Sequence, residues 1–366
     1  MTSRERMIAA MLNQQPDLVP VAPDMSNMIP CRLTGKPFWD IYLHHDPPLW
    51  RAYIDAARHF GLDGWLPMVG AQGPQHNKAI VLRTPERILL QGYEVVEGRR
   101  RWAPFVDVYY VADPPTGGVP CAKLGLPLEP ERWEDFHDTT PAMSEAEVVA
   151  AAREYMGEDG VVGVHVGIPG LGNVEQIYEY YDHYSAVKAR ALAYEAQLEE
   201  RMRQVIACRP DMILTGFSGC LVFQTPAIFR DLGLPSLQKL TRIAKEAGIP
   251  TQVHSCGPER ALVEVCAQET DLSSINPLER PPMGDCDLAE IKRLFGRDIG
   301  LMGNLHTTEH MLHGTPEVVA RESRWCIDVA AEGGGFILST GDQCGRDTPD
   351  ENIHAMVEVA RTYGVY

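Results

Sequence analysis

The chain has 366 residues, 45% of them hydrophobic, enough to bury a large core as one α/β barrel with an insertion or as two domains. Its 33 basic against 50 acidic side chains leave a net charge of -17, which repels phosphate backbones and anionic lipid surfaces and argues against nucleic acid and membrane partners. Nine scattered cysteines, an odd number, suit reduced thiols better than a disulfide framework.

The start, MTSRERMIAAMLNQQPD, reads as an amphipathic helix rather than a signal peptide, and no apolar run nears the roughly 20 residues that span a bilayer. A cytoplasmic location is expected. LVPVAP reads as a first strand, the stretch from Trp50 to Phe60 as a helix and GWLPMV as a second strand. Between about 78 and 111 the pattern changes to alternating strands (AIVLRT, RILLQGYEVVEG, RRWAPFVDVYYV), as antiparallel hairpins inserted into the N-terminal half would show.

From about residue 160, short apolar runs alternate with longer helical patterns. The runs are VVGVHVG (161–167), DMILTG (211–216), IPTQVHS (249–255), LSSIN (272–276), IGLMGN (299–304) and GFILST (335–340). A long helix is expected after Ser185, another from Pro226 to Ala247 stopped by Gly248, and a last one opening at Thr348-Pro349-Asp350-Glu351, with Thr as cap and Pro in the first turn. The fold class is therefore α/β, a TIM (β/α)8 barrel forming one domain over 1–366. Cys208, Cys220, Cys266 and Cys326 sit among apolar neighbours and read as core. The run Gly333-Gly334-Gly335 reads as a helix end, and GIPGLGN lacks the glycine intervals of a dinucleotide fingerprint.

The most informative segment is Val253-His254-Ser255-Cys256-Gly257, because it ends a predicted strand and residues two apart in a strand share a face. Strand ends form the active-site face of a barrel, so an imidazole and a thiol converge there. Thiolate with imidazole selects zinc over magnesium or calcium, and a catalytic zinc needs further ligands from elsewhere. Cys344, in the loop STGDQCGRDTP after GFILST, is the expected third ligand, and Glu279, at the end of INPLE, offers an oxygen or contacts substrate instead. The competing reading of a lone His-x-Cys is chance, and of each cysteine, core filling.

These residues carry a resemblance. RERMIAAMLNQQPDLVPV, PAIFRDLGLPSLQKLTRIAKEAGIPTQVHSCG and GGGFILSTGDQCGRDTPDENIHAMVEVARTYG resemble the uroporphyrinogen decarboxylase-like superfamily, in particular its zinc-dependent, corrinoid methyltransferase branch, over nearly the whole chain. In that branch a His-x-Cys pair and a later Cys bind zinc, which the resemblance carries over to His254, Cys256 and Cys344. A related cobalamin-independent methionine synthase adds a Glu between them; here Glu279 follows Cys256 by 23 positions (279 minus 256). Decarboxylation of uroporphyrinogen is disfavoured, because the segment APDMSNMIPCR lacks the arginines that would hold a polyanion.

The resemblance implies an O-demethylase-like enzyme that moves methyl from an aryl methyl ether to the cobalt of a corrinoid protein, the partner that carries the cobalamin. Zinc would act as a Lewis acid on the ether oxygen. The alternatives are transfer from a methylcorrinoid to a thiol, a metal-independent lyase, and a structural zinc in a barrel that only binds a corrinoid protein; whether the chain forms a homodimer stays open. Asp24, Asn27, His165 and Asn304 are the expected catalytic residues, and Met25, Asn173, Tyr181 and His306 the expected substrate contacts. Each has a plainer reading as a cap, a loop tie or a satisfied barrel residue. Phe38, Trp39, Tyr42, Trp50, Tyr53 and Trp65 either wall an aromatic substrate or pack the core, and Tyr178, Tyr180, Tyr181 and Tyr184 either line the pocket or face a partner.

Overall fold

The computed structural model describes residues 1–366. In chain order the strands are β1 (Gly64–Leu66), β2 (Lys78–Arg83), β3 (Arg87–Val96), β4 (Arg99–Tyr110), β5 (Thr116–Pro120), β6 (Glu134–Asp135), β7 (Gly160–Val166), β8 (Met212–Thr215), β9 (Thr251–His254), β10 (Ser274–Asn276), β11 (Gly300–Leu305) and β12 (Phe336–Thr340). Seven of them form one parallel sheet in the order β1-β7-β8-β9-β10-β11-β12. Every residue of β10, β11 and β12 is buried, as in parallel strands covered on both faces, the polar Ser274, Asn276, Asn304, Ser339 and Thr340 included.

The expected first strand, LVPVAP, forms no named strand, yet it closes the barrel. Ala22 N donates to Leu338 O and Leu338 N to Pro20 O on the β12 side, while Asp63 N donates to Val21 O on the β1 side. Pro20 and Pro23 interrupt the donor row, which is why the segment pairs at single bridges.

Two apolar layers hold the barrel. Its interior packs Trp65, Val161, Met212, Leu214, Met302 and Ile337, closed at the bottom by Met7, Ala10 and Met11 of the N-terminal helix Ser3–Met11. That helix opens with a capping box, Thr2 accepting from Glu5 N and the Glu5 carboxylate accepting from Thr2 N. Between strands and outer helices lies a core of 56 buried residues. Where β1 and β7 pair, Gly64 faces Gly160, and a Cβ on Gly160 would stand 2.2 Å from Gly64 O. Backbone cannot yield there, so Gly160→Ala is expected to cost roughly 1–3 kcal/mol, read as a lower denaturant midpoint at unchanged slope.

Four sequence expectations shift. The insertion runs beyond 111: a five-stranded antiparallel sheet, β5-β4-β3-β2-β6, extends to Asp135. The helix expected from 226 to 247 is two, Pro226–Leu232 and Leu234–Glu246, broken at Gly233 because Pro235 lacks the N–H that would continue the first. The last helix is Asp350–Tyr363 with Pro349 at its cap, and no side chain caps it; Thr348 is buried one residue earlier, with Asp350 and Glu351 in the first turn as expected. Of the four cysteines expected in the core, Cys220, Cys266 and Cys326 are buried and Cys208 is partly exposed. No helix is long and apolar enough to cross a membrane.

Candidate active site

The chemistry gathers at the C-terminal ends of the parallel strands. His254 is the last residue of β9, in register with Asn276 of β10, and Cys256 follows two residues on. Glu279 comes three residues after β10, and Asp342 two residues after β12. The ligand atoms of Cys256, Glu279 and Asp342 lie within 4.8 Å of one another, and so do those of Asp24, His254 and Asp342. Asp342 belongs to both groups, with its Oδ1 3.6 Å from His254 Nε2.

Local contacts hold each group in place. Ser218 Oγ stands 3.0 Å from Cys256 Sγ. Glu279 accepts from Gly257 N, and the turn before it is tied down by Leu278 N donating to the buried Glu259 carboxyl at 2.9 Å. Asp24 Oδ1 accepts from Ser26 N at 2.8 Å. Asp342 sits at φ 91°, where a side chain strains the backbone by about 1–3 kcal/mol and which clusters at functional sites.

The electrostatics are those of a site short of positive charge. Burial pushes the Asp24 and Glu279 carboxyls above the usual carboxylate range, with Asp342 adding to the rise and His254 opposing it. Burial likewise raises the Cys256 thiol, which the Ser218 hydroxyl partly offsets. Three carboxylates converging on one imidazole and one thiol repel one another unless a cation joins them. His254 Nδ1 is buried and without a partner. One group offers an imidazole nitrogen with carboxylate oxygens and the other a thiol sulfur with carboxylate oxygens, the two joined at Asp342, and donors of these types can hold a metal ion.

Beside this cluster lies a cavity of about 290 Å³. Its walls are apolar and aromatic, with Leu49, Trp50, Tyr53, Leu66 and Val148; its polar groups are Asp24, Asn27, His45, Gln72 and Gln343. Asp24 is common to cavity and cluster, so a small molecule bound here abuts the ligand atoms. The volume falls near the lower end of the roughly 300–1,000 Å³ of small-molecule clefts.

The structure thus brings together His254, Cys256, Glu279 and Asp24, and places Asn27 in the cavity wall. Cys344 stands outside both ligand groups. It is fully buried in the main core, its N–H donating to Asp24 O at 2.8 Å, and burial pushes its thiol up to about 12. Asp342, two residues earlier in the same loop, is the carboxylate that belongs to both groups.

The other expected catalytic and substrate residues stand outside the cavity wall and the two groups of ligand atoms. Met25 is 1% exposed within the core. His165 Nε2 bonds Gly216 O at 3.0 Å, and Asn304 Nδ2 donates to Leu278 O at 2.9 Å from a fully buried position. Asn173 caps the helix Val174–Asp182 by accepting from Gln176 N, and His306 caps Thr307–Leu312 by accepting from Thr308 N and Glu309 N. Tyr181 is 67% exposed, packed edge-on to Tyr180 away from the cavity wall. Of the aromatic cluster, Trp50 and Tyr53 reach the cavity, whereas Trp65 lies inside the barrel, donating to Gln252 Oε1 at 2.9 Å.

The sequence pattern of the family described as uroporphyrinogen decarboxylase (URO-D) matches residues 216–363. A methylated-thiol–coenzyme M methyltransferase of Methanosarcina mazei is 29% identical over 134 residues; the matched stretch is 36% of this chain and spans about a third, 32%, of that protein's length. A solved methyltransferase from the same organism superposes with a TM-score of 0.60 over 99% of both chains at 16% identity, a likeness of fold. The matched segment contains His254, Cys256, Glu279 and Asp342. Residues 216–363 are thus similar to the family described as uroporphyrinogen decarboxylase (URO-D), part of the chain is similar in sequence to a methyltransferase, and the chain as a whole shares the fold of a solved methyltransferase.

Proposed function

We propose that the protein is a zinc-dependent methyltransferase that takes a methyl group from a small methylated molecule, an aryl methyl ether, and passes it to the cobalt of a corrinoid protein. The observation that carries the reading is the shared position of Asp24, which belongs both to an apolar, aromatic-walled cavity and, with His254 and Asp342, to one of the two groups of ligand atoms. His254, Cys256, Glu279 and Asp342, drawn from the two groups that Asp342 joins, would hold the zinc. When bound, zinc supplies Lewis-acid stabilisation of the oxygen from which the methyl departs.

The chain's own groups do the rest. Trp50 and Tyr53 hold the arene against the wall, and the apolar lining keeps water from competing for the methyl group. Ser218 orients Cys256, and the Gly257 N–H orients Glu279. In the transfer the ether's methyl–oxygen bond breaks, its electron pair stays on the phenolic oxygen, and the methyl carbon bonds to the cobalt(I) of the partner.

The likeness to a methylated-thiol methyltransferase favours one competing reading, with a thioether as donor or a thiol as acceptor. Assaying reduced corrinoid protein with methoxylated arenes and with methyl thioethers separates the two, alongside metal analysis. Zinc near one equivalent per chain with transfer from ethers supports the proposal; transfer from thioethers alone replaces its substrate, and an active metal-free protein rejects it.

A further inference from the structure

We propose that a cleft at the bottom of the barrel, on the face opposite the active site, binds a small phosphate monoester through Arg293 and Arg297. The cleft has a volume of about 620 Å³. It lies where the chain enters β11 and β12, between the end of the helix Leu288–Phe295 and the turn at 332–334, and Asn13, just past the N-terminal helix, forms part of its wall. The two groups of ligand atoms gather at the other ends of these strands. The cleft is therefore separate from the metal and the methyl donor, and the inference does not depend on the reaction proposed above.

Charge marks this cleft out. Over the whole chain acidic side chains outnumber basic ones 50 to 33, yet the cleft is lined by Lys292, Arg293 and Arg297 against a single carboxylate, Glu332. Arg293 and Arg297 are exposed and take part in none of the ion pairs or side-chain hydrogen bonds that hold the other arginines nearby, so their guanidinium groups are free to turn into the cleft. Lys292 is half-buried, its Nζ donating to Gly334 O at 2.6 Å; burial lowers its pKa, and Glu332 opposes the fall. Three like charges around one concave surface repel one another until an anion joins them. Complementing the helix dipole accounts for Lys292 and Arg293, which stand in the last helical turn, but not for Arg297, which lies beyond the helix end at Gly296.

The donors set the class of ligand. Guanidinium forks match phosphate oxygens two at a time, and a phosphate monoester carries roughly two negative charges near neutrality, which offsets the lining's net charge of +2 (3 minus 1). The volume falls among the roughly 300–1,000 Å³ of small-molecule clefts, more than a bare ion fills. Ala289 and Val329 supply apolar wall for the organic part of the ester.

The test is calorimetric titration of the full chain with ribose 5-phosphate, with ribose and with citrate. The expected result is saturable binding of ribose 5-phosphate, one per chain, with a Kd below about 1 mM, weakened by added salt and at least about tenfold tighter than ribose or citrate. The double variant Arg293→Ala with Arg297→Ala should lose at least about tenfold in affinity, because two charge-assisted hydrogen-bonding groups are removed. A control variant, Arg83→Ala with Arg242→Ala, removes the same charge from two exposed arginines outside the cleft and should keep the affinity within about twofold. All four positions are exposed, and the melting temperature confirms that both variants fold. The inference is overturned by a Kd above about 10 mM, by ribose or citrate binding as tightly as ribose 5-phosphate, by an unchanged affinity in the cleft variant, or by an equal loss in the control.

Discussion

Asp342→Ala is expected to strip the protein of its metal and of methyl transfer, while Cys344→Ser keeps both. Asp342 is the one residue common to the two groups of ligand atoms, 3.6 Å from His254 Nε2 and within 4.8 Å of Cys256 and Glu279. Removing it leaves His254 and Cys256 without the group that joins them, and the loss of affinity should exceed the roughly 10–100-fold that follows loss of an outer-shell partner. Cys344 is buried in the same loop beside the Thr340 and Thr348 hydroxyls, which can pair with a serine hydroxyl, so the serine variant should lose no more than about 1 kcal/mol and, on this reading, still bind metal. Metal stoichiometry on the two purified variants, with melting temperature as the control, decides between them. Metal lost from Cys344→Ser and kept in Asp342→Ala would return the ligand role to the cysteine.

Asp63→Ala should unfold the barrel from below. Asp63 is fully buried, and its two oxygens serve three donors: Arg6 Nη1 at 2.6 Å, Val21 N at 2.9 Å and Arg361 Nη1 at 3.0 Å. It thereby ties the N-terminal helix, the bridging segment that closes the barrel and the C-terminal helix to the start of β1. Arg6 is 7% exposed and keeps Asp17 as a second partner; Arg361 is nearer solvent, so its share is discounted. Removing one member of a buried pair leaves the other charge uncompensated, a loss of roughly 3–5 kcal/mol, which for a chain of this length lowers the melting temperature by roughly 5–15 °C. Asp63→Asn, which retains an acceptor for Val21 N, should lose less. A change below about 1 kcal/mol in Asp63→Ala would show that the network contributes nothing beyond a surface pair.

How much of this could be read from the residues depends on whether a repeating geometry stood behind them. Short, largely apolar runs in alternation with helical patterns determined the parallel barrel, because strands covered on both faces are mostly apolar and a right-handed crossover needs a helix between them. The same period placed His254 and Cys256 at one strand end, two residues apart and on the active-site face. The insertion was visible as a change of period, although its far end was not: β6 is two exposed residues with no apolar pattern. The break at Gly233 was carried by Pro235, a local rule that a helical pattern concealed.

What only the tertiary structure decided is which groups meet. Asp342 and Cys344 lie two apart in a loop that has no period, and either is a competent ligand by residue type. The fold places them differently: the chain turns through φ 91° at Asp342, which joins both groups of ligand atoms, and buries Cys344 under Asp24, with which it shares a backbone hydrogen bond across 320 positions (344 minus 24). In the same way Trp50 became a cavity wall and Trp65 barrel filling, a distinction set by which side of β1 and its preceding helix the core occupies. Local sequence specifies periodic elements because each residue's face follows from its neighbours; a site assembled from the loops after β9, β10 and β12 follows only from how those strands are brought side by side.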